Sequence, residues 1–153
     1  MTVLALRVAF APLLRLDRTS LSNRPAHRNG TLRAQVCRMN TSPATTAMAD
    51  CIRLCQQCHQ TCLETAMNHC LNAGGDHVAP EHFRLMLNCA EICQTSANFM
   101  LSGSSYHHLT CEVCATICED CAGDCERIGE MDACVAACRE CADACREMSA
   151  QHD

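Results

Sequence analysis

Sixteen cysteines between Asp50 and Asp153 dominate the chemistry this sequence can do: Cys51, Cys55, Cys58, Cys62, Cys70, Cys89, Cys93, Cys111, Cys114, Cys118, Cys121, Cys125, Cys134, Cys138, Cys141 and Cys145. A seventeenth, Cys37, stands apart from them. A thiolate is both a nucleophile and a soft metal ligand. Thiols in this number could hold soft metal ions, cycle disulfides or simply fill space. Space filling explains one or two cysteines. It does not explain this many, because Leu or Ala would pack as well without the risk of oxidation.

Most of the intervals are three or four residues, in alternation, which is the seven-residue repeat of a helix face turned into a bundle seam. Strands would give intervals of two. Extending each register gives four stripes. The first is Met48, Cys51, Cys55, Cys58, Cys62, Thr65 and His69; the second is His82, Met86, Cys89, Cys93, Ser96 and Met100. The third is His107, Cys111, Cys114, Cys118, Cys121, Cys125 and Ile128; the fourth is Met131, Cys134, Cys138, Cys141, Cys145 and Met148. Fifteen of the 17 cysteines fall on stripe positions, so the registers are not an accident of composition. The residues that prolong them are mostly Met and His, themselves ligand types.

Chain breaks separate the stripes. Gly74-Gly75 ends the first helix, and Pro80 suits the first turn of the next. Gly103 with Ser104 and Ser105, and then Gly129, mark the other two boundaries. The pattern predicts helices over about 47–73, 80–102, 105–128 and 131–149. Connections this short make neighbours antiparallel. The expected fold is all-α, an up-down-up-down four-helix bundle spanning 47–150 with a Cys-lined core, with Thr41 to Thr46 as a linker before it.

Residues 1–40 are a different kind of sequence, with seven Arg and one acid, against five Arg and 16 acids in residues 41–153. Residues 1–46 read as an Arg-rich disordered extension, an over-called start with Met39 or Met48 as the true beginning, or a targeting segment. Arg7, Pro12 and Arg15 interrupt the apolar stretch that a secretory signal needs, and no adjacent Arg pair supports twin-arginine export. The net charge of −5 and the lack of Lys argue against nucleic acid as a partner. No run of 18 or more apolar residues predicts a membrane span.

Several thiol chemistries compete. Neighbours at i,i+4 on one helix meet disulfide geometry poorly, and small disulfide scaffolds are loop-rich. The spacing of bacterial ferredoxins is absent, and one continuous helix cannot wrap a cubane. A four-thiolate zinc site carries a charge of −2, and stacking several along a narrow core is costly. Cu(I) takes two or three soft ligands, and bridging thiolates bring a sulfur–copper column toward neutrality. The in-register Met residues favour copper too, since thioethers are poor zinc ligands. Zinc or general thiol-metal detoxification, and a thiol redox protein, remain as alternatives. A catalytic cysteine needs exposure and an activating base, so an enzyme is not expected.

The segments CIRLCQQCHQTC (51–62), CEVCATICEDCAGDC (111–125) and CVAACRECADAC (134–145), followed by Met148, resemble the four-helix-bundle copper storage proteins. The resemblance covers about residues 48–149. It implies many Cu(I) ions along the bundle axis, mostly on thiolate pairs. Here those pairs would include Cys51/Cys55, Cys58/Cys62, Cys89/Cys93, Cys114/Cys118, Cys121/Cys125, Cys134/Cys138 and Cys141/Cys145. It also implies a homotetramer and a mouth where His and Met admit copper; candidates are Met48, His69, His82, Met86, Met100, His107, Met131 and Met148. Without the export motif the chain resembles the cytosolic branch. Ser96 continues a stripe but is a poor ligand, so copper near it should be sparser. Phe83, Leu85, Leu87, Ile92 and Phe99 lie largely off the thiol stripe, which suggests subunit contact through the outer face of helix 80–102. Glu119, Asp120, Asp124 and Glu126 read as a solvated face, His59 as an outer-face residue and His77 as an exposed loop residue.

Overall fold

The computed structural model describes residues 43–151, and every described element is helical. The expectations for residues 1–42, Cys37 among them, fall outside the described residues. Helix α1 runs Pro43–Glu64 and continues through a π-helical turn, Thr65–Cys70, into a last α-turn, Leu71–Ala73. A short 3-10 turn, Gly75–Val78, leads to α2, Pro80–Leu101. Helix α3 spans His107–Ile128 and α4 spans Asp132–Ala150. Each helix packs on the two beside it in the order α1–α2–α3–α4–α1, which is the up-down-up-down bundle the periodicity predicts. At about 1.5 Å per residue, the longest helices span about 33 Å.

The first helix begins earlier than the sequence suggests. Thr41 to Thr46 reads as a linker, yet Pro43 opens α1. Its ring fixes φ near the helical value, and its missing N–H costs nothing at a position where no intrahelical acceptor exists. Helix α3 starts two residues later than expected, after a turn through Ser104 and Ser105.

The interior has an unusual composition. Among the described residues, the fully buried apolar side chains are those of the 16 cysteines with seven Ala and four Met, joined by His82 and Ser96; no Leu, Ile, Val or Phe is among them. The Ala residues flank the thiols: Ala90 follows Cys89, Ala115 follows Cys114, Ala122 follows Cys121, and Ala142 follows Cys141. A methyl at the helix–helix contact lets backbones approach closely, and that brings sulfurs from four helices to one axis. Larger apolar side chains such as Ile52, Leu63, Phe83, Leu85, Leu87 and Ile92 pack around this core, half-buried.

Two glycines close the helix ends with backbone that other residues adopt poorly. Gly74 has φ 70° and ψ −157°, and Gly129 has φ 92° and ψ 176°. Both lie in a region that is essentially glycine-only. Nothing crowds the place where a Cβ would sit at Gly129, so a substitution there tests the backbone alone. Gly129→Ala is expected to destabilise the reduced, metal-free protein by about 1–3 kcal/mol. Equilibrium denaturant unfolding measures it, and an unchanged midpoint would refute the reading.

Candidate metal centre

The four Cys stripes converge on the bundle axis, and all 16 bundle cysteines are buried free thiols. Their sulfurs form a near-continuous column. Near the start of α1, Cys145 lies 3.7 Å from Cys51 and 3.5 Å from Cys55, and Cys55 lies 3.6 Å from Cys141. The column continues through Cys93, 3.8 Å from Cys141 and 3.4 Å from Cys118. Cys58 then meets Cys138 at 3.7 Å, and Cys62 meets both Cys138 and Cys134 at 3.4 Å. Cys125 joins Cys134 at 3.7 Å.

The closest sulfur contacts cross between helices. Within one helix, Cys58/Cys62 and Cys114/Cys118 stand 3.9 Å apart and Cys134/Cys138 4.0 Å. Four-sulfur groups recur along the axis, each with its sulfurs within 4.8 Å of one another, and they overlap. Cys58, Cys62, Cys89, Cys93, Cys114, Cys118, Cys138 and Cys141 each belong to at least two of them. A chain of shared groups suits bridging thiolates better than a set of closed tetrahedra.

Burial and sulfur–sulfur hydrogen bonding split the thiols into two kinds. Hydrogen bonding with Cys118 and Cys138 holds Cys58 below the ordinary thiol range. Cys93 is pushed above it by Cys114 and Cys118, with burial adding to the shift. Cys121 pushes Cys134 up, but donation from Cys125, Cys138 and Cys62 outweighs it and holds Cys134 at about 5. A thiolate in this column is stabilised only by neighbours that keep their protons, so the column titrates as a unit. Cys70 differs: burial, with nearby Cys134 and Cys121, pushes it up.

The stripe registers hold except at one place. From Cys62 the repeat predicts Thr65 and His69 on the core face. Both are half-buried, and Ala66 and Cys70 take the buried positions instead. The π-turn Thr65–Cys70 is the reason: it adds a residue to one turn and shifts the register by one. That shift puts Cys70 on the axis. It is the one bundle cysteine off its stripe in the sequence.

The expected mouth residues fall in three places. Met86 lies inside the column, its Sδ 3.3 Å from Cys125, 3.6 Å from Cys121 and 3.8 Å from Cys134. At one end, Met100 and Met148 are buried, and Met48 and His107 are half-buried. Cys111 contacts Met100 at 3.9 Å, and His107 Nδ1 bonds Ser104 O at 2.8 Å. At the other end His82 and Met131 are buried, and His69 is half-buried. The rings of His69 and His77 stand edge to face with centroids 4.9 Å apart. His69 Nε2 and His77 Nδ1 are buried there without a hydrogen-bond partner, so His77 is not merely an exposed loop residue.

Three further residues play parts the sequence does not show. His59 is half-buried, and its Nδ1 bonds the Ala90 carbonyl of α2 at 2.8 Å. Ser96 donates to Thr110 O at 3.0 Å, which ties α2 to α3. Asp124 does not belong to the solvated face, where Glu119, Asp120 and Glu126 do lie exposed. Its carboxylate bonds His82 Nδ1 at 2.8 Å and Arg127 Nε at 3.0 Å. Burial pushes this carboxyl up, but Arg127 and His82 together hold it below the usual range. The signal was present as His82 on a core stripe and an acid one residue before Cys125, but only the helix rotation brings them together.

Comparison with known proteins agrees with this geometry. The Nmul_A1745 protein from Nitrosospira multiformis is 56% identical, with 69% of this chain and 97% of that one aligned at a TM-score of 0.68. The Cu(I)-bound copper storage protein BsCsp3 is 31% identical over 67% of this chain and 98% of its own, at 0.63. A cytosolic copper storage protein from Streptomyces lividans, in a structure with five coppers, is 30% identical over 70% of this chain and 95% of its own, at 0.64. An uncharacterized cysteine-rich protein of Bacillus subtilis, YhjQ, is 34% identical over 79 residues, and the match spans 66% of that protein. Residues 44–150 match the copper storage protein family, and with over two-thirds of its length so matched this chain belongs to that family.

Proposed function

We propose that this chain stores copper as Cu(I), with the ions held along the bundle axis by the thiolates of Cys51 to Cys145. The overlap of the four-sulfur groups carries this reading. Isolated tetrahedral zinc sites would each need four thiolates of their own. Here neighbouring groups share sulfurs, and shared thiolates lower the charge per metal. Sixteen thiolates in unshared pairs would hold about eight ions; bridging raises the figure to roughly 10–16.

No catalytic step enters this reading, since every bundle thiol is buried and a nucleophilic cysteine needs access to its substrate. A cytosolic location is supported by the Streptomyces lividans relative, described as cytosolic. Among the described residues no helix is long and apolar enough to cross a membrane. Copies of the chain assemble as a tetramer through the outer face of α2, where Phe83, Leu87 and Phe99 are only half-buried within one protomer.

An anaerobic Cu(I) titration of the reduced full chain against a competing chelator is expected to show about ten or more tightly held ions per chain. Saturation at one or two ions would overturn storage. Each thiol that binds must lose its proton, so loading is expected to release protons into weakly buffered solution. Affinity is expected to fall as pH falls, because protons and copper compete for the same sulfurs. Uptake with no proton release would contradict thiolate ligation. Light scattering is expected to give the mass of four chains; a monomer with both Phe83 and Phe99 intact would refute the assembly.

A further inference from the structure

The sulfurs that would hold Cu(I) are also, as free thiols, a reserve of electrons. Three interhelical pairs that share no sulfur stand in close contact along the axis. Cys62 lies 3.4 Å from Cys134, and equally from Cys138. Cys93 lies 3.4 Å from Cys118, and Cys55 lies 3.5 Å from Cys145. The first and last pairs join α1 to α4, and the middle one joins α2 to α3. Neighbours on one helix are farther apart, at 3.9 Å for Cys58/Cys62 and Cys114/Cys118 and 4.0 Å for Cys134/Cys138.

That difference matters for bond formation. A disulfide needs its sulfurs at about 2.05 Å, with the two Cβ atoms directed at each other. Side chains facing across the axis close to that length more readily than two that point the same way from one helix. All six sulfurs of the three pairs are buried free thiols. Burial keeps bulky oxidants away from them, whereas a single metal ion moving along the axis from an end meets each pair in turn.

We propose that the reduced, metal-free column also takes up Cu(II) and reduces it to Cu(I), with these interhelical thiol pairs as the electron donors. The first Cu(II) takes one electron from a thiolate, and the sulfur radical left behind is captured by the sulfur in contact with it. The second Cu(II) takes the remaining electron. Two S–H bonds are lost and one S–S bond forms; two Cu(II) become two Cu(I), and two protons leave to solvent. A lone thiol cannot complete this sequence, so contact between sulfurs decides where it happens. The step is stoichiometric, and each bridge spends two of the 16 bundle thiols. Retention of the Cu(I) by the remaining thiolates rests on the storage reading; the reduction itself does not.

The test adds two equivalents of Cu(II) sulfate per chain, without oxygen, to the full reduced chain with no other thiol present. Electron paramagnetic resonance follows Cu(II). Alkylation of the remaining thiols in acid, followed by peptide mapping by mass spectrometry, locates the bridges. The Cu(II) signal is expected to vanish, with one disulfide for every two ions, drawn from Cys62/Cys134 or Cys62/Cys138, Cys93/Cys118 and Cys55/Cys145. A Cu(II) signal that persists at full intensity would overturn the reduction. Bridges between neighbours on one helix, through Cys37 or between two chains would overturn the assignment of the donors. So would the same map from the chain unfolded in denaturant, where the column does not exist. Bridges at the three pairs with the Cu(I) recovered outside the protein after gel filtration would uphold the reduction and overturn storage instead.

Discussion

Sulfurs from four helices must stand within about 4 Å of one another along an axis roughly 30 Å long, and the rest of the structure follows from that spacing. Thiol side chains are short, so the four backbones must lie close. Bulky neighbours at the helix contacts would hold them apart. The interior accordingly contains Cys, Ala and Met and excludes the branched aliphatics, which are displaced to half-buried positions around it. Each buried Cys or Ala removes less apolar surface from water than a Leu would. Helices of 22, 22, 22 and 19 residues compensate by repeating the contact many times.

Polar contacts outside the column keep the helices in register. His59 joins α1 to the backbone of α2, and Ser96 joins α2 to α3. Arg139–Glu126 at 2.7 Å, together with the Arg146–Glu119 pair, links α3 to α4. Exposed ion pairs of this kind contribute little to stability, yet they discriminate between registers, and a seam of identical thiols cannot. Sliding one Cys stripe by a heptad along its partner would still set thiols against thiols over part of the seam. The charges and the carbonyl acceptors would then lose their partners.

Periodicity made most of this legible. Alternating intervals of three and four identified the helices, their inner faces and the breaks between them, because one face carried a residue type that is otherwise rare. What stayed hidden depends on local departures from the ideal repeat. The π-turn has no signature in residues 65–70 beyond Cys70 standing off its stripe, so His69 was placed where Cys70 lies. Pro43 looked like part of a linker because proline breaks helices everywhere but at their start. Asp124 looked solvated because its neighbours Glu119, Asp120 and Glu126 are, and only its rotation toward α2 separates it from them.

The sealing of the column has a consequence for turnover. Every thiol in it is shielded from water along the sides of the bundle, with relative exposure of 1% or less. Ions held in such a column would be screened from solvent along its sides. They exchange by passing between neighbouring sulfurs and leave only at an end. The order of departure is then set by position rather than by the strength of each site, as in a stack whose last arrival is the first to go. A strong chelator outside the protein competes for the terminal ion alone, and the deepest copper is retained longest even if its own ligands are no better than the rest.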